Sequence, residues 1–122
     1  MRADELRRLA AASGATIGAH GVNHLALPEL DPSERRVELQ DGKRRLEAIV
    51  GAAVEALAYP YGAWDAATAD LTRACGFALA VTCDERAVEP GTDPWRLPRV
   101  EVKPTVRGDL GRLMARLRAM GP

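Results

Sequence analysis

The sequence predicts an α/β fold built on a parallel sheet, and three observations carry that reading. Apolar stretches of strand length alternate with amphipathic helical stretches along the 122 residues, and such alternation implies right-handed crossovers and parallel pairing. Helix starts are written into the chain, above all at "LDPSE". The residues with chemical capability follow the strands, where ligands gather in parallel sheets.

Taken in order, residues 3–12 bring Leu6, Leu9 and Ala10 to helical spacing, and Gly14 stops that helix. "ATIGAH" reads as a buried strand ending at the histidines. In "LDPSE", Asp31 caps, Pro32 takes the first helical position and Glu34 completes a capping box. The helix that follows puts Leu39, Leu46, Ile49 and Val50 on one face and stops at Gly51. "VEALAY" is the next strand, broken by Pro60 and Gly62. "WDAATADLTRAC" is a helix capped by Asp65 and ended by Gly76. "FALAVT" is a third strand and "RLPRVEV" a fourth, separated by a loop rich in Pro, Gly and Asp. Leu110, Leu113, Met114 and Leu117 mark a closing amphipathic helix. No repeat or linker divides the chain, so residues 1–122 are expected to form one domain.

Composition narrows the function. Hydrophobic residues at 47% and charged residues at 28% are ordinary for a globular protein. A formal net charge of zero, without a basic patch, argues against nucleic-acid binding. No apolar run approaches the roughly 20 residues of a membrane span, and the charged N-terminus lacks the apolar core of a secretory signal. As written, the chain is therefore expected in the cytoplasm, or in the cell envelope if its N-terminus is incomplete. Cys75 and Cys83 flank a strand about six residues long, which separates them by roughly 20 Å. That is beyond disulfide reach.

Both histidines of the chain, His20 and His24, lie within "IGAHGVNH". Four residues apart, they can reach one metal ion, but the same spacing also arises in helix decoration or as satisfied core residues. Gly18 and Gly21 allow close backbone approach to a ligand. Tyr61 follows the second strand, Cys83 and Asp84 the third, and Lys103 the fourth, so these segments are expected to converge on one rim. "AYPYG" likewise has two readings. Either Pro60 and Gly62 make a turn whose tyrosines pack, or the Tyr61 N–H points into the cleft and stabilises an oxyanion. On pattern alone the packing reading prevails.

Together, "IGAHGVNHLALPEL", the capped helix with "RRLEAIVG", "ALAYPYG", "ACGF", "ALAVT" and "LPRVEV" resemble the polysaccharide deacetylase family. This is carbohydrate esterase family four, with its chitooligosaccharide deacetylase homology domain. The resemblance runs from about Glu5 to Val102. It implies a (β/α)7-type parallel barrel and a metal-dependent hydrolase, usually with zinc or another divalent ion. The reaction it implies removes acetyl groups from N-acetylated carbohydrate by cleaving a carbon–nitrogen bond that is not a peptide bond. By position, His20 and His24 match the two metal-binding histidines, and Tyr61 matches the residue whose backbone amide helps form the oxyanion hole.

The chain departs from that pattern in several places. Gly21 stands where the family carries Ser or Thr. Glu55 to Ala58 lack the arginine often found before the proline, and no third histidine exists to act as general acid. The first strand, whose two aspartates supply the base and the third metal ligand, has no counterpart upstream of His20. The expectation is thus an incomplete barrel lacking its N-terminal strands, with an open edge needing a covering segment, a partner chain or a second copy. A non-catalytic carbohydrate- or metal-binding remnant, or a subunit completing a barrel with another chain, are the rival readings. Arg99 in "LPRVEV" either faces the barrel interior, where it could orient a carboxylate, or lies on the solvated face of an edge strand, as Pro98 favours. Trp64 and Trp95 could stack on sugar, though capping and packing suit both better. Cys83 and Asp84 are the nearest internal substitutes for the missing metal ligand.

Overall fold

Two aspartates start the helices that flank the sheet. The computed structural model describes residues 1–102 and 110–120. In α2 (Pro32–Val50), Asp31 Oδ1 accepts from the amides of Ser33 (2.9 Å) and Glu34 (3.0 Å), two of the N–H groups a helix start leaves without partners. In α3 (Ala66–Ala74), Asp65 does the same for the Thr68 amide at 2.7 Å. Helix α1 (Ala3–Ala11) precedes them and lies on the end of α2, where Arg7 Nε donates to the Ile49 carbonyl at 3.1 Å. Helix α4 (Leu110–Met120) closes the described chain.

The sheet is parallel, as the alternation requires, but its regular part is small. Strands β1 (Ala56–Ala58) and β2 (Leu79–Val81) pair in parallel with Leu57 opposite Ala80. "ATIGAH" and "RLPRVEV" are not strands among the described residues. Each joins by a single parallel bridge, Ala19 to Leu57 on one side and Leu97 to Val81 on the other. Among the described residues both outer segments have a neighbour on one side only, and Pro98 has no N–H to extend the second ladder. The row is therefore Ala19, β1, β2, Leu97, in chain order. Lys103, expected at the end of the fourth segment, lies outside the described residues.

The core sits between this row and the helices: Ala19, Leu27, Leu39, Val54, Leu57, Tyr59, Phe77 and Ala80 are buried together. Tyr59 is fully buried and its hydroxyl donates to the Trp95 carbonyl at 2.8 Å, while Trp95 Nε1 donates to the Phe77 carbonyl at 2.8 Å. These bonds satisfy the polar tips of both rings. Trp95 thus packs under the Arg73 guanidinium, and Trp64, partly buried on the core, lies under Arg96. On α4, Met114 and Leu117 remain 41% and 39% exposed, so the apolar face expected of the closing helix is only partly covered.

The inner face of α2 is not purely apolar. Its buried positions are Arg35, Glu38, Leu39 and Gly42, spaced as one helical stripe. A Cβ on Gly42 would lie 3.3 Å from the carbonyl carbon and oxygen of Gly21, so the glycine lets the helix rest directly on the loop that carries the histidines.

Candidate functional site

The site begins where the first segment leaves the sheet. The Ala19 amide donates to the Ala56 carbonyl at 2.8 Å, and the Ala58 amide donates back to Ala19 at 2.9 Å. This pins the residue just before His20. The His20 Nδ1 lies 2.8 Å from the Ala58 carbonyl oxygen. A carbonyl can only accept, so Nδ1 carries the proton and the Nε2 lone pair is left for another partner. The His24 ring stands 4.6 Å from that of His20 and 4.5 Å from that of Tyr61, centroid to centroid. Thus the two motifs singled out in the sequence form one continuous patch of three exposed rings.

Backbone strain is concentrated there. His24 (φ 54°) and Tyr61 (φ 60°) are the two non-glycine residues at positive φ among the described residues. Such a conformation costs about 1–2 kcal/mol per residue, and it persists only where surrounding structure holds it. The Tyr61 turn is fixed by bonds from Gly62 N–H to the Tyr59 carbonyl (2.8 Å) and from Ala63 N–H to Pro60 (3.1 Å). Among the described residues, the Tyr61 N–H has no acceptor. Gly62 abuts the end of β2, where a Cβ would fall 2.5 Å from the Cys83 Cβ.

The His20–His24 loop is held by α2. Glu38, 4% exposed, accepts at Oε2 from the amides of Val22 (2.8 Å) and Asn23 (2.9 Å), and at Oε1 from Asn23 Nδ2 (2.6 Å). Burial pushes its carboxyl up, but the Asn23 and Val22 amides, the Asn23 side chain and the Arg45 charge outweigh it. The group stays below its ordinary range. One turn earlier, buried Arg35 donates to the carbonyls of Leu27 (2.9 Å), Pro28 (3.2 Å) and Leu30 (3.0 Å), closing the far end of the loop. Sequence reasoning missed both residues because it followed apolar positions only. Their signal was legible: each charge stands four residues back from a buried position, Arg35 from Leu39 and Glu38 from Gly42, on the core stripe.

Arg99 is placed elsewhere on the rim. Its Nε donates to the Thr82 carbonyl at 2.8 Å, its amide to the Asp84 carbonyl at 2.9 Å, and its Nη2 lies 3.6 Å from Cys83 Sγ. With Cys83, Glu85, Val100 and Glu101 it lines a cavity of about 430 Å³. Cys75 and Cys83 are both free thiols. Among the described residues, no group of three His, Cys, Asp or Glu side chains could hold a metal ion, so Cys83 and Asp84 do not complete a site with the histidines. Two imidazoles, one oriented through its Nδ1–H, are a suitable but partial donor set for zinc, which takes three or four protein ligands.

The polysaccharide deacetylase family profile matches residues 1–80. The chain belongs to the polysaccharide deacetylase family. That match takes in His20, His24, Glu38 and Tyr61 and stops short of Cys83 and Arg99. No curated protein matches the chain in sequence. Among solved structures, this deacetylase-family chain is similar to the deacetylase PplD of Streptococcus pyogenes in complex with acetate. The TM-score is 0.85 at 21% identity, over 100% of this chain and 51% of that one. It is also similar to BC0361, a polysaccharide deacetylase from Bacillus cereus (0.77, 23%, 96% and 36%), and to IcaB from Ammonifex degensii (0.73, 24%, 84% and 48%). At these identities the likeness is one of fold. The chain spans about half or less of the length of each. No helix among the described residues is long and apolar enough to cross a membrane.

Proposed function

We propose that this chain carries the histidine-and-tyrosine half of a site that hydrolyses the acetamide carbon–nitrogen bond of an N-acetylated oligo- or polysaccharide, giving acetate and a free amine. The observation that carries this reading is the contact of His20, His24 and Tyr61 within a family-matched segment. His20 and His24 would hold a divalent ion, zinc being among those that imidazole donors suit. When bound, such an ion acts as a Lewis acid and lowers the pKa of water. The unused Tyr61 N–H would donate to the oxygen on which charge develops. Arg99, on the cavity beside Cys83, would orient a carboxylate of the completed site.

The same reading makes the parallel row part of an incomplete (β/α)7-type barrel. Ala19 turns its N–H and C=O toward β1, so the neighbouring Gly18 and His20 turn theirs toward the open edge. A preceding segment, another chain or a second copy would pair there and bring the third metal ligand and the catalytic base.

Acetate release from chitooligosaccharides tests the proposal, measured with and without zinc on this chain and on a longer one that restores an upstream strand with its aspartates. Activity of the longer chain that needs zinc and is lost in His20→Ala supports the reading. Inactivity of the longer chain, with sugar binding retained, points instead to a non-catalytic binding module.

A further inference from the structure

We infer that Glu38 is a positioning residue whose carboxylate fixes the geometry of the His20–His24 loop from the buried face of α2. The inference deepens the proposed function, because the loop it acts on carries both proposed metal ligands. Three donors converge on one side chain, and two of them are successive backbone amides. A carboxylate that accepts consecutive N–H groups dictates the local backbone path, since both amides must point the same way. The residues on either side of those amides, Gly21 (φ 75°) and His24 (φ 54°), are the ones in the left-handed region. The anchor therefore sits inside the strained span.

The helix contributes from a fixed distance. Gly42, one turn further along the same stripe, rests on the Gly21 carbonyl, and the Glu38 Oε2 itself lies 3.0 Å from where a Gly21 Cβ would be. Arg35 secures the carbonyls at the far end. The loop is thus held at its amides by an anion and at its carbonyls by a cation, both from one rigid element. The hydrogen bonds of both charged groups go to the loop rather than to a histidine ring, so they act on the site through the loop's path. Asn23 closes the remaining carboxylate oxygen, and its exposed side chain is the part of the anchor that substitution can reach without opening the core.

The test compares Glu38→Leu, Glu38→Gln and Glu38→Asp with the unaltered chain. The readouts are NMR contacts between the rings of His20, His24 and Tyr61, and calorimetric zinc titration. Core methyl resonances of Leu27, Leu39 and Leu57 serve as the control for folding. Glu38→Leu keeps the side chain's size but offers no acceptor. It is expected to retain the core signals, lose the His24 ring contacts and weaken zinc binding by about tenfold. Glu38→Gln keeps an acceptor for both amides, and Asn23 can turn its amide to meet the new NH₂. It is expected to preserve the ring contacts and bind zinc within about threefold of the unaltered chain. A folded Glu38→Leu with unchanged ring contacts and unchanged zinc affinity overturns the inference.

Should Glu38→Leu lose its core signals, Glu38→Asp decides, because it withdraws the carboxylate from the Val22 and Asn23 amides by one methylene while keeping its charge. Weakened ring contacts support the inference and unchanged ones overturn it. If the unaltered chain binds no zinc at all, the metal reading is judged on the longer chain, while the ring contacts still judge Glu38.

Discussion

Gly42 and Gly21 meet backbone to backbone: a methyl group on the first would stand 3.3 Å from the carbonyl of the second. A glycine inside a helix costs about 1 kcal/mol relative to alanine, so Gly42→Ala would ordinarily stabilise α2. Here the added carbon meets a loop that Glu38 already holds in place, and overpacking costs about 1–3 kcal/mol. The expected outcome is no gain in thermal stability, or a loss. Thermal unfolding of Gly42→Ala checks this, and a melting temperature several degrees higher would mean that the loop yields freely.

Gly62 presents a harder contact. A Cβ there would fall 2.5 Å from Cys83 Cβ, 2.7 Å from its Sγ and 2.8 Å from its backbone nitrogen, at φ 68°. Gly62→Ala is expected to cost about 2–4 kcal/mol. Removing the sulfur relieves only one of the three contacts, so Gly62→Ala with Cys83→Ala should be no more than slightly better. Denaturant unfolding of the single and double variants measures this directly. Full rescue by Cys83→Ala would show that the Tyr61 turn is held by the thiol rather than by its backbone packing.

What the sequence makes legible here follows the range of the forces involved. Asp31 and Asp65 announce their helices because a cap is satisfied within three residues. The parallel order of Ala19, β1, β2 and Leu97 follows from the alternation of elements. Whether a segment extends into a strand depends on neighbours distant in the chain, and among the described residues "ATIGAH" and "RLPRVEV" have one neighbour each. The histidines and Tyr61 were found by motif, and the three rings do meet. Glu38 escaped because a charged residue on a helix reads as solvated until the loop that desolvates it is in place. Arg99 was open between an interior and an exposed position, and it stands at the end of β2, bonded to Thr82 and Asp84.

Acid should reveal Glu38 separately. Its folded-state pKa lies below the ordinary 4.5, so the native state binds its proton less readily than the unfolded chain. The stability it contributes is complete above about pH 4.5 and is lost as pH falls through the lower, native value. Asp31 and Asp65 are lowered too, through the amide and hydroxyl bonds of their caps, and Asp93 through the Trp95 amide and the Arg96 guanidinium, so the whole chain weakens in acid. The difference between the unaltered chain and Glu38→Gln isolates the one group. Unfolding midpoints measured from about pH 7 to about pH 3 should converge as acidity rises. Parallel curves would show that Glu38 titrates as it does in the unfolded chain.

The metal site sets the last expectation. His20 offers its Nε2 because Nδ1 is committed to Ala58, and His24 is 4.6 Å away ring to ring. Two neutral imidazoles provide no charge compensation for a dication, and no third His, Cys, Asp or Glu among the described residues joins them. Zinc sites normally use three or four protein ligands, so this chain should bind zinc weakly and lose that binding in His20→Ala. Cys83 faces Gly62 and Arg99 rather than the imidazoles, so Cys83→Ala should leave zinc affinity unchanged. A longer chain that restores an upstream aspartate should bind far more tightly, with His20→Ala again abolishing the gain. Calorimetric titration of these five proteins is the measurement. Tight binding by the 122-residue chain that survives His20→Ala would remove the histidines from the site. Tight binding lost in both His20→Ala and Cys83→Ala would mean that the thiol swings across the rim to complete a different one.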